Sequence, residues 1–133
     1  MQIHGSCHCG TIHYEAIVNP DKTTICHCTD CQKLTGSAYR VSVPAEKGSF
    51  HLLKGTPTIY IKIGDSGARR AQAFCPTCGS SLYVYDADNP NLYGLRVGCI
   101  EESALLIPQK QKWYRSVLKW TQNLEKIERQ DKE

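Results

Sequence analysis

Along residues 11–18, TIHYEAIV, apolar and polar side chains alternate, with Ile12, Tyr14 and Ala16 on one face and His13 and Glu15 on the other. That period of two predicts a half-buried strand, paired as a hairpin with the segment before it. The cluster NPDKT at 19–23 predicts a turn, and Thr24 to Cys28 a further short extended piece. Beyond it SAYRVSV (37–43), FHLLKG (50–55), TIYIKI (58–63), RRAQAF (69–74), SLYVYD (81–86) and LYGLRVGCI (92–100) are short, β-branched or aromatic, and divided by Gly, Pro, Asp and Asn. Such segments predict strands, so the body of the protein is expected to be mainly β.

Two stretches break this pattern. Thr29-Asp30-Cys31-Gln32 fits a capping box, with a hydroxyl at the N-cap and Gln three residues later, and Gly36 supplies a stop. A short helix is expected there, with Cys31 in its first turn. WYRSVLKWTQNLEKI (113–127) places Val117, Trp120, Leu124 and Ile127 on one face, which predicts a C-terminal helix packed through Trp120; ERQDKE after it reads as solvated. The 133 residues have the size of one domain, read as 1–133 with a core over about 4–102 and a tail over 103–133.

No apolar run approaches the roughly eighteen residues of a membrane span, and MQIHGSCHCG lacks the parts of a signal peptide, so a cytoplasmic (or nuclear) protein with no membrane partner is expected. There the eight cysteines read as metal ligands rather than disulfides. Seven of them group as Cys7-x-Cys9, Cys26-x-Cys28-x2-Cys31 and Cys75-x2-Cys78, leaving Cys99 alone. The formal charge of +3 counts every thiol as neutral. Seven thiolates and two Zn²⁺ ions bring it to about zero, which gives no support to a nucleic-acid partner.

Cys7-x-Cys9-Gly and Cys75-Pro-Thr-Cys78-Gly each offer two sulfurs from a tight turn, and together make the Cys₄ set of a closed structural zinc site. Pairings swapped with the third cluster stay open. Cys26, Cys28 and Cys31 are one ligand short of a tetrahedron. Cys99, a nearby histidine, or an exchangeable water or substrate could complete it. His27 is poorly placed, because in an extended Cys-His-Cys stretch its side chain points away from both sulfurs. Cys99, in the apolar VGCIE, reads as a small core residue in a strand. An open fourth position is the leading reading, and zinc sites that keep one are catalytic.

Taken in order, HGSCHCGTIHYE, CHCTDCQKLTGSAY, FCPTCGSSL and LRVGCIE resemble the glutathione-dependent formaldehyde-activating enzyme family, which includes centromere protein V. The resemblance implies a small fold of several coiled antiparallel sheets, like the Mss4 and β-tent proteins. It also implies two zinc ions per chain: a structural one on Cys7, Cys9, Cys75 and Cys78, and a catalytic one on Cys26, Cys28 and Cys31. The implied activity is that of a carbon–sulfur lyase, adding glutathione to formaldehyde to give S-hydroxymethylglutathione, or the reverse.

In such a reaction a thiol held as thiolate at the second zinc attacks a small carbonyl compound. His27 and Tyr39 are the candidate proton donors, and Lys33, Arg40, Arg69 and Arg70 the candidates for meeting the carboxylates of glutathione. Gln72 departs from the family, whose members often carry arginine shortly before the Phe-Cys pair. Two other functions fit the residues: a non-enzymatic zinc module whose basic, aromatic QKQKWYRSVLKW contacts a protein or nucleic acid, and a redox-responsive zinc site that releases metal on oxidation. Nothing in the sequence sets the oligomeric state.

Overall fold

A computed structural model describes all residues 1–133. The alternating segment at 13–17 forms β2 (His13–Ile17), paired antiparallel with β1 (Gln2–Ser6) as the hairpin pattern requires. Ile12, Tyr14 and Ala16 are each 1 % exposed, so the face predicted to be apolar is the buried one. Gly5 lies opposite Tyr14 in this pair, and a Cβ there would fall inside the Tyr14 ring. Glycine is therefore what lets the tyrosine lie flat in the core.

The remaining strands are β3 (Thr24–Cys26), β4 (Arg40–Pro44), β5 (His51–Lys54), β6 (Thr58–Ile63), β7 (Arg69–Phe74), β8 (Ser81–Asp86), β9 (Gly94–Arg96) and β10 (Lys110–Lys112). They build a three-stranded sheet in the order β1-β2-β5 and a seven-stranded sheet in the order β10-β3-β4-β9-β8-β7-β6. All pairings are antiparallel except β10 with β3. The two sheets enclose one core that includes Ile3, Tyr14, Val18, Val43, Leu82 and Leu95. Phe50 stacks on Tyr93 with ring centroids 4.3 Å apart and extends that core. The mainly β architecture is as expected.

Three expectations are corrected. The helix α1 runs from Thr29 to Thr35, but its N-cap is Cys28, whose Sγ accepts the Cys31 N–H at 3.2 Å. The capping box therefore does not form, and Gln32 instead donates to the carbonyls of His27 and Ser116. Gly36 ends the helix in the left-handed region, as its sequence position predicts. The strand expected over 92–100 is only β9; a 3-10 turn follows at Val97–Cys99, so Cys99 is not in a strand.

The C-terminal helix does not form. Residues 110–112 add β10 to the edge of the large sheet, and 3-10 turns follow at Tyr114–Ser116 and Lys119–Lys126, the latter kinked at Asn123. Trp120, Leu124 and Ile127 are about half exposed. A short amphipathic helix owes most of its stability to docking its apolar face, and this face has no surface to dock on.

Candidate metal centres and cleft

The Cys7–Gly10 and Cys75–Gly79 turns are matching knuckles. Gly10 and Gly79 take φ of +79° and +78° and donate N–H to the carbonyls of Cys7 and Cys75. Side chains rarely tolerate that conformation, which explains the glycine after each cysteine pair. The His8 N–H donates to Ser80 Oγ at 2.9 Å and joins one knuckle to the other. All four Sγ atoms lie within 4.8 Å of one another. The Cys7–Cys9 and Cys9–Cys75 sulfurs are 3.6 and 3.7 Å apart.

A regular tetrahedron with metal–sulfur bonds of about 2.3 Å has sulfur–sulfur edges of about 3.8 Å, so this donor set has the dimensions that Zn²⁺ takes. The separations are far too long for disulfides. Local donors favour two of these thiolates: Ser80 Oγ, at 3.3 Å, draws Cys78 down to about 5. Burial opposes ionisation of Cys7, yet the Ile12 N–H and the Thr11 hydroxyl outweigh it and bring that thiol to about 7.

The second cluster stands apart. The sulfurs of Cys26, Cys28 and Cys31 also lie within 4.8 Å of one another, at the end of β3 and the first turn of α1. Burial, followed by the neighbouring Cys28 sulfur, pushes Cys31 up to about 12; burial also opposes ionisation of Cys28, but the Cys31 thiol and N–H outweigh it and draw that thiol down. Three thiolates this close repel one another, so all three ionise only around a cation. The trio therefore suits a metal ion. Cys99 does not complete it: its thiol donates to the Ser81 carbonyl at 3.2 Å, and it lines the same small hollow as Cys7.

These three sulfurs border a cleft of about 380 Å³. The cleft is one face of the seven-stranded sheet, and the strand registers explain its lining. Cys26 pairs with Arg40 and Ser42 with Arg96, while Gly94 pairs with Val84 and Val84 with Gln72; all of these line the cleft. The alternate residues Val43, Leu95, Ala71, Ala73 and Tyr83 are buried on the core side. Lys22, Arg40, Lys62, Arg70, Arg96 and Lys112 bring six cations to the cleft against the single carboxylate of Asp30. Asp30 pairs with Lys62 at 3.0 Å, tying α1 to β6 across one end.

Of the residues expected from sequence to meet substrate, Arg40 and Arg70 line this cleft and Lys33 and Arg69 do not; Arg69 pairs with Asp88 at 2.9 Å. His27 and Tyr39 also lie outside the lining. His27 is 2 % exposed, donates from Nε2 to Gln111 Oε1 at 2.7 Å, and meets the rings of Tyr39 and Tyr114 edge to face. It packs the tail onto the sheet, so as a proton donor it is misplaced. Its turn away from the sulfurs is what the extended backbone predicts.

Sequence reading missed Arg96, Lys62 and Lys22, and placed Lys112 and Trp113 only in a segment for a protein or nucleic-acid partner, not at this cleft. Arg96 carried a signal, since an arginine inside the apolar GLRVG must find polar partners once buried. It donates to Ser42 Oγ at 2.8 Å and to Gln72 Oε1 at 2.7 Å. Burial, and then the nearby Arg40 charge, lower Arg96 to about 9, still protonated at neutral pH. Arg40 donates to the same Gln72 oxygen at 3.1 Å. Trp113, at φ 54°, turns the chain out of β10 and borders the cleft.

The profile of the family described as "Glutathione-dependent formaldehyde-activating enzyme" matches residues 2–116. A Halomonas elongata protein provisionally named a glutathione-dependent formaldehyde-activating enzyme is 29 % identical over 96 residues, covering 69 % of this chain and 61 % of that protein. An uncharacterized lyase of Schizosaccharomyces pombe is 28 % identical over 92 residues, covering 69 % of this chain and 64 % of that protein. The matches thus span a little under two thirds of each relative. Among solved structures, a Rhodobacter sphaeroides protein superposes with a TM-score of 0.62 at 20 % identity, over 82 % of this chain and 99 % of that one, a likeness of fold.

Proposed function

Because the chain belongs to the glutathione-dependent formaldehyde-activating enzyme family, we propose that it is a zinc-dependent carbon–sulfur lyase. It makes and breaks bonds between the sulfur of a glutathione-like thiol and the carbon of a small carbonyl compound such as formaldehyde. The observation that carries this reading is the placement of three convergent sulfurs, Cys26, Cys28 and Cys31, on the border of a cation-lined cleft. Zn²⁺ on these three sulfurs would keep an exchangeable position and hold an incoming thiol in its thiolate form. A second Zn²⁺ on Cys7, Cys9, Cys75 and Cys78 would serve the fold.

The chain's own side chains supply the rest. Lys22 and Lys112 are exposed cations on the cleft and suit the carboxylates of a peptide thiol. Lys62, held by Asp30, can donate a proton to the oxyanion that forms from the carbonyl oxygen, giving the hydroxyl of the adduct. Trp113 offers an apolar wall to the thiol's carbon skeleton. His27 and Tyr39 contribute packing.

The test is exchange NMR with ¹³C-formaldehyde and glutathione, since the adduct also forms without an enzyme and catalysis appears as faster exchange. Zinc-loaded protein should accelerate exchange, and Cys28→Ser should not. Equal rates with wild type, variant and buffer, for formaldehyde and for other small carbonyl compounds, would reject the lyase reading. Elemental analysis should give two zinc ions per chain.

A further inference from the structure

Arg40 and Arg96 are 7 % and 8 % exposed and share one neutral acceptor, Gln72 Oε1, with no carboxylate bonded to either. Arg40 Nε and Nη2 and Arg96 Nε are buried without a hydrogen-bond partner. Two desolvated guanidinium groups beside each other are costly, and partnerless N–H groups add to that cost. Proteins keep such an arrangement where an anion completes it. Gln72 has the complementary role of fixing both guanidinium groups from β7, two strands from β9 and three from β4 in the sheet, since its oxygen accepts from each. Were an arginine present there, it would add a third charge and no acceptor.

We propose that Arg40, Gln72 and Arg96 form a cradle for a carboxylate carried by the carbonyl substrate, which places this enzyme's carbonyl partner among small 2-oxo acids such as glyoxylate. The inference deepens the lyase reading and rests on it for the word substrate. Arg40 is the cross-strand partner of Cys26, so the cradle lies beside the three sulfurs at the floor of the cleft. A carboxylate bonded to the reacting carbon suits a cradle so placed, since sulfurs and arginines line one cleft. The carboxylates of a glutathione-like thiol are six or more bonds from its sulfur, which takes them towards the exposed Lys22 and Lys112. In a 2-oxo acid the carboxylate is bonded directly to the carbonyl carbon. Formaldehyde has none and leaves the cradle unfilled. In the addition, the thiol sulfur bonds to the carbonyl carbon, the C=O π pair moves to oxygen, and the proton lost by the thiol ends on that oxygen. Nothing is oxidised or reduced.

The experiment is calorimetric titration of the zinc-loaded protein with oxamate, an unreactive 2-oxo acid mimic, alone and in the presence of saturating S-methylglutathione. Saturable oxamate binding, retained with S-methylglutathione present and weakened at least tenfold in Arg96→Gln, is the expected result. Gln72→Leu, which leaves both arginines in place, should weaken it by a similar factor and guards against a folding defect in the first variant. Retention of oxamate binding in Cys28→Ser would separate the cradle from chelation by a metal ion. No binding, loss of binding in Cys28→Ser, or displacement by S-methylglutathione with only the thiol ligand sensitive to Arg96 would each overturn the proposal. Because binding is read without turnover, a failure of the lyase assay and a failure of the cradle are distinguishable.

Discussion

Cys78→Ser and Cys28→Ser each remove one sulfur from a cluster, and the fold predicts different consequences. Cys78 belongs to the set that joins the β1–β2 hairpin to the turn after β7. That link closes a loop from Cys7 to Cys75 of about 70 residues, for which the chain-entropy expression for a cross-link gives about 4 kcal/mol. The second cluster spans only Cys26 to Cys31, and a loop of about six residues gives about 2 kcal/mol by the same expression. Serine at position 28 also keeps an oxygen at the N-cap of α1 to accept the Cys31 N–H, so the helix start survives.

The difference of about 2 kcal/mol corresponds to roughly 8 °C in melting midpoint for a domain of this size. The assay is calorimetric melting of both zinc-loaded variants beside the wild type, with zinc measured in each sample. Cys78→Ser should melt well below Cys28→Ser, while Cys28→Ser keeps a cooperative transition and loses acceleration of thiol–carbonyl exchange. Equal midpoints, or a Cys28→Ser protein that no longer melts cooperatively, would refute the division into a fold-holding site and a reacting site.

Gly5→Ala should cost about 1–3 kcal/mol, because the new methyl displaces the buried Tyr14 ring; an unchanged urea midpoint would contradict the close approach. Ending the chain after Val117 should shift the melting midpoint by no more than a few degrees, since residues 118–133 are exposed apart from Thr121, whereas ending it before Lys110 removes β10 and should unfold the α1 end of the cleft. Circular dichroism of the two truncations separates these outcomes. Glu102 Oε1 lies 2.7 Å from His4 Nδ1 and raises that imidazole above 6.5; partial burial opposes ionisation of Glu102, but the His4 N–H and ring bring it below 4.5. The His4 contribution is complete below pH 6.5 and fades as pH rises through its raised value, and the Glu102 contribution is complete above pH 4.5 and fades as pH falls through its lowered one. NMR titration of the His4 ring should show a midpoint that returns towards 6.5 in Glu102→Gln, and no change between the two would dismiss the pair.

What the sequence made legible follows from the range of each interaction. Alternation and β-branched or aromatic runs bounded by turn residues are local, and they located β2, β6, β7 and β8 to within two residues. The knuckles are local too, so cysteine spacing and the glycine after each pair indicated how the sulfurs converge. The cleft is a different kind of object: it takes every second residue from strands spread between positions 24 and 112, and their order β10-β3-β4-β9-β8-β7-β6 is written in no single segment. Arg40 and Arg70 were named as charges without a location, and Arg96 and Lys62 were not named at all. β10 was missed because Lys110-Gln111-Lys112 is wholly polar and exposed, and its pairing with β3 is held by backbone groups.

The two clusters also differ in what surrounds the sulfur, and that difference argues for their roles more directly than their count of ligands. Around the first, Cys7 and Cys75 are buried and the donors are fixed: the Ile12 N–H, the Thr11 hydroxyl, Ser80 and the paired knuckle turns. Every position there is occupied by the protein itself, which suits a metal that stays. Around the second, all three cysteines are half-buried, and the charges that line the cleft beside them are those of arginines and lysines with the single carboxylate of Asp30. Three thiolates with one divalent cation carry a net negative charge, which Arg40 and Arg96 offset from the sheet floor. If those two arginines served that balance alone, replacing either would lower the affinity of the trio for metal. If they also await a substrate carboxylate, Arg96→Gln would weaken oxamate far more than it weakens zinc retention. The partnerless guanidinium N–H groups favour the second outcome, because the sulfurs beside them have left those donors unmet.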